Sequence, residues 1–299
     1  MKEFFEFRIN YEFSHLLFDS DEGRDLGEVS KSVKVVTIAS DDPRFRQIPA
    51  VSKEIREKYG KPFLFSWRVR RSYTKSELES ACLFHLIIST VFEPTGEECG
   101  TIYDESAACK ICGAKATQNG PLKLKKGPPN KPDIARTIGG EVIVSERLVS
   151  KLQSRRLAVF SCAPVIISER ENKYFQPTAI TEIGLSELTI AGIDPFDLSE
   201  SSEAYKAAVS GNHKFNFDKE VYKCPLGHTI GLNLISEAHI IRSSIPVNCD
   251  FFVSKQRIGV RRGLLRPEPL YFCSPAVRKM VIDEKLRGFK FEVARVEPK

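Results

Sequence analysis

Apolar positions along the first ninety residues change period several times, and each change predicts an element. Lys2–Phe13, rich in Phe and Glu/Arg, reads as a strand, and VKVVTI at Val33–Ile38 as a second. Across Phe45–Tyr59 the apolar residues Ile48, Val51, Ile55 and Tyr59 fall three or four apart, the spacing of an amphipathic helix. Pro62–Tyr73 alternates Phe63, Phe65, Trp67 and Val69 with Ser66, Arg68 and Arg70, a half-buried strand. Thr74-Lys-Ser-Glu77 is a capping box that starts a short helix, and Leu83–Phe92 follows as a strongly apolar strand.

Periodicity vanishes between Gly96 and Gly113, and the Pro-, Gly- and Lys-rich residues 119–133 read as an extended loop. A strand–helix–strand unit comes next: strand Glu141–Val144, N-cap Ser145, helix face Leu148, Val149 and Leu152, then strand Val159–Ile167. The chain ends with the same order. Strand Leu270–Cys273, N-cap Ser274 with Pro275 behind it, helix face Val277, Met280 and Val281, and strand Phe289–Val296 repeat it. Ser145, Leu157 and Phe160 match Ser274, Leu286 and Phe289 at a constant offset of 129. A duplication and a chance likeness of two such units both account for the match. Between them, Glu200–Ser210 reads as a short helix and Gly231–Ile240 as β-like.

These elements predict an α+β protein with mixed or antiparallel sheets and flanking helices, in two related lobes, 1–167 and 168–299, with a small zinc-knuckle insertion at 96–113. Composition agrees with a folded chain, since 41% of the 299 residues are hydrophobic and 28% charged. No run approaches the roughly 20 apolar residues of a membrane span. The start, MKEFFEFRINYEF, mixes acids into its apolar residues, unlike a secretory leader. A net charge of +6 permits nucleic acid or an acidic protein as partner and demands neither.

Eight cysteines without a leader belong to a reducing compartment, where clustered thiols read as metal ligands; a cytoplasmic location is expected. Cys109-Lys-Ile-Cys112-Gly113 is a CxxCG knuckle, whose two thiolates can chelate one tetrahedral ion. Gly96-Glu-Glu-Cys99-Gly100 matches it except for Gly96 in the first cysteine position, leaving three thiolates: Cys99, Cys109 and Cys112. Three readings stay open. The set is completed by His228 or Cys224 of the CPLGH stretch, or it keeps water at the fourth position as catalytic zinc does, or it has decayed and folds without metal. Nothing near Glu97 and Glu98 supplies a general base with a partner, so the ion, where present, is read as structural zinc.

The other candidates carry less. Lys255, Arg257, Arg261, Arg262 and Arg266 form a basic segment that reads as a phosphate-binding strip or a solvated loop, and the Lys123–Lys131 loop has the same ambiguity. His85 sits in an apolar strand and reads as a core histidine; His15, His213 and His239 lack telling neighbours. P-loop, GxSxG, HExxH and dinucleotide fingerprints are missing.

The stretches GEECGTIYD and CKICGA within 96–114, KPDIART at 131–137, VSERL at 144–148, RRGLLRPEPLYFCS at 261–274 and GFKFEVARV at 288–296 resemble the bacterial double-CxxCG-motif proteins. Several of those are assigned as immunity proteins encoded beside polymorphic or contact-dependent toxins. The resemblance covers about residues 90–165 and 225–299, and Gly96 departs from the full double motif. It implies a non-enzymatic, cytoplasmic protein that neutralises a cognate protein toxin by stoichiometric binding, without a membrane. A zinc-containing nucleic-acid-binding protein is the alternative, and a hydrolase with an open zinc site a third reading.

Overall fold

The computed structural model describes residues 1–26, 32–168, 170–192, 196, 205–209, 213–217, 223–259 and 263–298. The chain divides into two compact units. The smaller comprises Met1–Leu78 with Asp194–Ser202 and Lys206–Asn216; the larger comprises Glu79–Ile193, Glu203–Tyr205 and Phe217–Lys299.

In the smaller unit β1 (Lys2–Asn10), β2 (Arg24–Asp25), β3 (Val33–Ala39) and β4 (Leu64–Ser72) form an antiparallel sheet in the order β2-β3-β1-β4. Alternation sends Phe5, Phe7 and Ile9 of β1 to one face, where they meet Val36, Ile38, Ile48, Ile55 and Trp67. Ile48 and Ile55 belong to α1 (Ile48–Tyr59), the helix expected from its apolar period. The Thr74–Glu77 capping box forms as read: Thr74 N–H donates to Glu77 Oε2 (2.8 Å) and Glu77 N–H to Thr74 Oγ1 (3.2 Å), opening α2 (Lys75–Ser80).

The larger unit is built from two repeats. The first runs β5 (Phe84–Ile88), β6 (Val91–Phe92), β7 (Ile102–Asp104), β8 (Thr117–Asn119), β9 (Lys123–Leu124), β10 (Ile134–Thr137), β11 (Val142–Ser145), α3 (Glu146–Ser154) and β12 (Ser161–Ile167). The second runs β13 (Arg170–Thr178), β14 (Thr181–Ile183) and β15 (Ala191–Gly192); the pair β16 (Tyr205–Val209) and β17 (His213–Phe217) that follows in the chain belongs for the most part to the smaller unit. The second repeat continues with β18 (Asn233–Leu234), β19 (His239–Ile241), β20 (Phe251–Ile258), β21 (Glu268–Cys273), α4 (Pro275–Asp283), β22 (Phe289–Val293) and β23 (Arg295–Glu297).

Pairing registers match residue for residue. Tyr103 faces Gln118 as Ala191 faces Leu234; Ile134 faces Val144 as Phe251 faces Cys273; Leu124 runs beside Ile167 as Ile240 runs beside Val296. The duplication is therefore real in three dimensions, and it is exchanged. β13, the first strand of the second repeat, lies between β11 and β12 of the first. β5, the first strand of the first repeat, lies between β21 and β22 of the second. Because the exchange is reciprocal, an approximate two-fold relates the repeats.

Two aspartates fasten this exchange. Asp133 accepts from its own repeat's N-cap Ser145 Oγ (2.9 Å) and from the backbone N–H of Arg287, just past the other repeat's helix (2.8 Å). Asp250 accepts from Ser274 Oγ (2.6 Å) and from the N–H of Ala158, just past α3 (3.0 Å). Both serines cap their helices, at Leu148 and Val277. Both helices leave through a left-handed residue, Arg156 (φ 55°) and Lys285 (φ 50°), again 129 positions apart.

Two expectations change. The boundary at 167/168 separates repeats and not lobes, because exchanged strands put both repeats into one unit and leave Met1–Leu78 outside the duplication. Within Glu200–Ser210, Tyr205–Val209 is a strand paired with β17, and the rest of that predicted helix lies outside the described residues. No helix among the described residues is long and apolar enough to cross a membrane.

Asp133→Ala removes the acceptor of two groups that are then poorly solvated, so chemical denaturation should show a loss of about 2–4 kcal/mol. Asp250→Ala should cost a similar amount, and a neutral effect at either position contradicts the reciprocal clamp.

Candidate metal centre

Each repeat carries one knuckle in the same place. In the first, between β7 and β8, Cys109 N–H donates to Ala114 O (2.8 Å) and Gly113 N–H to Cys109 O (2.8 Å). In the second, before β18, Cys224 N–H donates to Thr229 O (2.9 Å) and Gly227 N–H to Cys224 O (2.8 Å). Gly113 (φ 72°) and Gly227 (φ 75°) both take the left-handed backbone that tightens the turn. The CPLGH stretch is therefore a second knuckle, spelled Cys-x3-His instead of Cys-x2-Cys.

The two knuckles meet. The ligating atoms of Cys109, Cys112, Cys224 and His228 all lie within 4.8 Å of one another. Cys109 Sγ is 3.8 Å from Cys224 Sγ, and Cys224 Sγ is 3.8 Å from His228 Nδ1. A tetrahedral ion with metal–sulfur bonds of about 2.3 Å spaces its sulfurs about 3.8 Å apart, so the four side chains are set to hold a metal ion. Cys112 and Cys224 are buried and pack with Ala114 in a small cluster of their own. Backbone N–H groups of Cys112 and Ile111, joined by His228, bring the Cys109 thiol down to about 6, whereas burial pushes the Cys112 thiol up.

Cys99, expected as a ligand, is not among these four. Its sulfur accepts the Lys125 N–H at 3.2 Å, in a short 3-10 turn, Glu97–Cys99. Thr95-Gly-Glu-Glu98 is a capping box here, with Thr95 N–H donating to Glu98 Oε2 (2.8 Å) and Glu98 N–H to Thr95 Oγ1 (3.3 Å). Gly96 gives its N–H to the buried Glu141 (3.1 Å), and a Cβ there would stand 2.6 Å from Leu122 Cδ1. GEECG thus imitates a knuckle in spelling while its first position has no room for a side chain. Cys224 takes the place assigned to Cys99, and His228 sits beside it where Cys224 or His228 was expected to complete the set.

The remaining candidates are engaged elsewhere. Arg266 of the basic segment stacks on the Tyr103 ring (4.1 Å) and pairs with Glu97 (2.7 Å) and Glu105 (3.4 Å); residues 260–262 lie outside the described residues. Tyr103 also donates to Glu141 (2.8 Å), and Arg136 clasps Glu268 through both oxygens (2.6 and 2.7 Å), although burial pushes the Glu268 carboxyl up. His85 is buried 3.8 Å from Glu292, and His239 pairs with Glu297 (2.7 Å). The side chain of His213 lies outside the described residues, and His15 is exposed.

Neither a protein-family model nor a curated protein matches the chain.

Metal analysis of purified variants should show full occupancy for Cys99→Ser and none for Cys224→Ser; the reverse pattern contradicts the split centre. Gly96→Cys, which restores the second CxxCG spelling, should lower stability by about 1–3 kcal/mol by overpacking and add no ligand.

Proposed function

We propose that this chain is a cytoplasmic immunity protein that neutralises a cognate toxin by stoichiometric docking, with zinc as a purely structural ion on Cys109, Cys112, Cys224 and His228. The observation that carries this reading is the donor set itself. Four protein donor atoms lie within 4.8 Å of one another, enough to fill the shell of a tetrahedral ion without a substrate or an activated water, which is the pattern of structural zinc. Three sulfurs and one imidazole suit zinc over the harder oxygen-seeking cations. The acids nearby support the same reading, because Glu141 and Glu268 are already taken by Tyr103, Gly96 and Arg136. The resemblance to double-CxxCG-motif proteins supplies the functional class. Three exposed cations flank the knuckles, Lys110, Lys115 and Lys223, and with the net charge of +6 they favour a toxin with an acidic face.

The nucleic-acid reading is weaker, since Arg266 is held by Glu97 and Glu105 and its charge is largely spent within the chain.

A toxin-like gene is expected beside this one, and co-expression with its product should restore growth and yield a 1:1 complex on purification. Rescue without a complex, or turnover of a substrate by the purified chain, overturns the proposal. Cys112→Ser should cost several kcal/mol of stability along with the ion.

A further inference from the structure

We propose that β4, the open edge of the smaller unit's sheet, takes up an extended segment of a partner protein whose residues alternate acidic and apolar, and adds it to the sheet as one more strand. The inference goes beyond the docking proposal above. It concerns the unit that carries neither knuckle, and it holds or fails apart from the metal centre.

β4 is 9 residues long and pairs with β1 alone. Among the described residues, no backbone hydrogen bond reaches the other side of Phe65–Arg70. An edge of this kind offers its N–H and C=O groups to any strand that can lie beside it. Side chains decide which strand that is, because they sort onto two faces. Trp67 and Val69 pack on the core shared with α1 and stay only partly buried. Phe65, in the bulge at the start of the strand, is 44% exposed. Ser66, Arg68, Arg70 and Ser72 stand on the opposite face, all of them exposed.

That opposite face is strongly positive. The register sets Arg68 beside Glu6, Arg70 beside Phe4 and Arg8 beside Ser66, and Lys2 and Arg24 share the side. Glu6 is the single acid at the in-register positions of this face. It serves both Arg68 (2.7 Å) and Arg70 (2.7 Å), whose side chains remain 55% and 54% exposed. Like charges gathered on one face of a sheet repel, and an acidic partner relieves that repulsion.

Charge also excludes a second copy of the chain. Its β4, laid along this edge, would bring two more arginines to the same side, so the edge repels its own kind. A strand with acids at every second position spaces them about 7 Å apart, as Arg68 and Arg70 are spaced, and turns its apolar residues toward Trp67 and Val69. A nucleic acid would satisfy the arginines but could not continue the hydrogen-bond ladder of the sheet.

The test adds to the full-length chain a dye-labelled peptide as long as β4 that alternates valine and glutamate. Three comparison probes are a valine–lysine peptide, a peptide with the glutamates and valines in separate blocks, and an oligothymidylate. The alternating acidic peptide should bind 1:1, about 10-fold tighter than either other peptide. It should also slow hydrogen exchange at backbone amides within Leu64–Ser72. Arg68→Gln and Arg70→Gln should each weaken it about 2- to 5-fold. The proposal is overturned by no binding, by equal binding of the block peptide, or by protection confined to another part of the chain. Folded glutamine variants that bind unchanged, or a preference of β4 for the oligonucleotide, overturn it as well. Should both variants fail to fold, the peptide comparison on the unaltered chain decides. None of these outcomes bears on toxin rescue or zinc content, which test the readings above.

Discussion

A tetrahedral ion asks for four donors, and each repeat brings only two to the place where they meet. Cys109 and Cys112 come from one knuckle, Cys224 and His228 from the other. The ion therefore cannot be held unless both repeats are folded against each other, and the reciprocal strand exchange is what places them so. β13 completes the first repeat's sheet and β5 the second's. Asp133 and Asp250 then tie each helix start to the exit of the other helix. The knuckles sit apart from the apolar cores of the two sheets, in a cluster consisting of Cys109, Cys112, Ala114 and Cys224. An ion held there would take over the stabilising work that apolar packing does elsewhere.

Departures from the two-fold are as informative as the symmetry. The β20–β21 hairpin is twelve residues longer than β10–β11, and its extra length carries Arg266 onto Tyr103. The position equivalent to Tyr103 in the second repeat is Ala191. Repeats that share a backbone have thus acquired different side chains where they flank the metal centre.

Much of the fold was legible because its signals are local. Alternation marked β1 and β4, three-and-four spacing marked α1, and the caps at Ser145 and Ser274 marked α3 and α4. The constant offset of 129 pointed to the duplication. The exchange left no trace in the pattern, since an exchanged strand alternates like any other and its partner is set by tertiary pairing. ESSEAYKAAVS reads as a helix from its Ala and Glu content, yet Tyr205–Val209 pairs with β17, and pairing overrides a weak propensity. At the metal centre, Cys109, Cys112 and His228 were legible from spacing. GEECG copies a knuckle's letters and so points to Cys99, whereas the Thr95-x-x-Glu98 capping signal beside it marks a short 3-10 turn. Spacing alone does not tell that Cys224 and His228 belong to the set together, because a Cys-x3-His turn lacks the CxxCG spelling.

Zinc-edge X-ray absorption on the purified full-length chain tests the split centre most directly. The account predicts one zinc per chain with three sulfurs at about 2.3 Å and one nitrogen at about 2.0 Å. A first shell containing an oxygen from water, or four sulfurs, or a folded chain with no zinc, contradicts it.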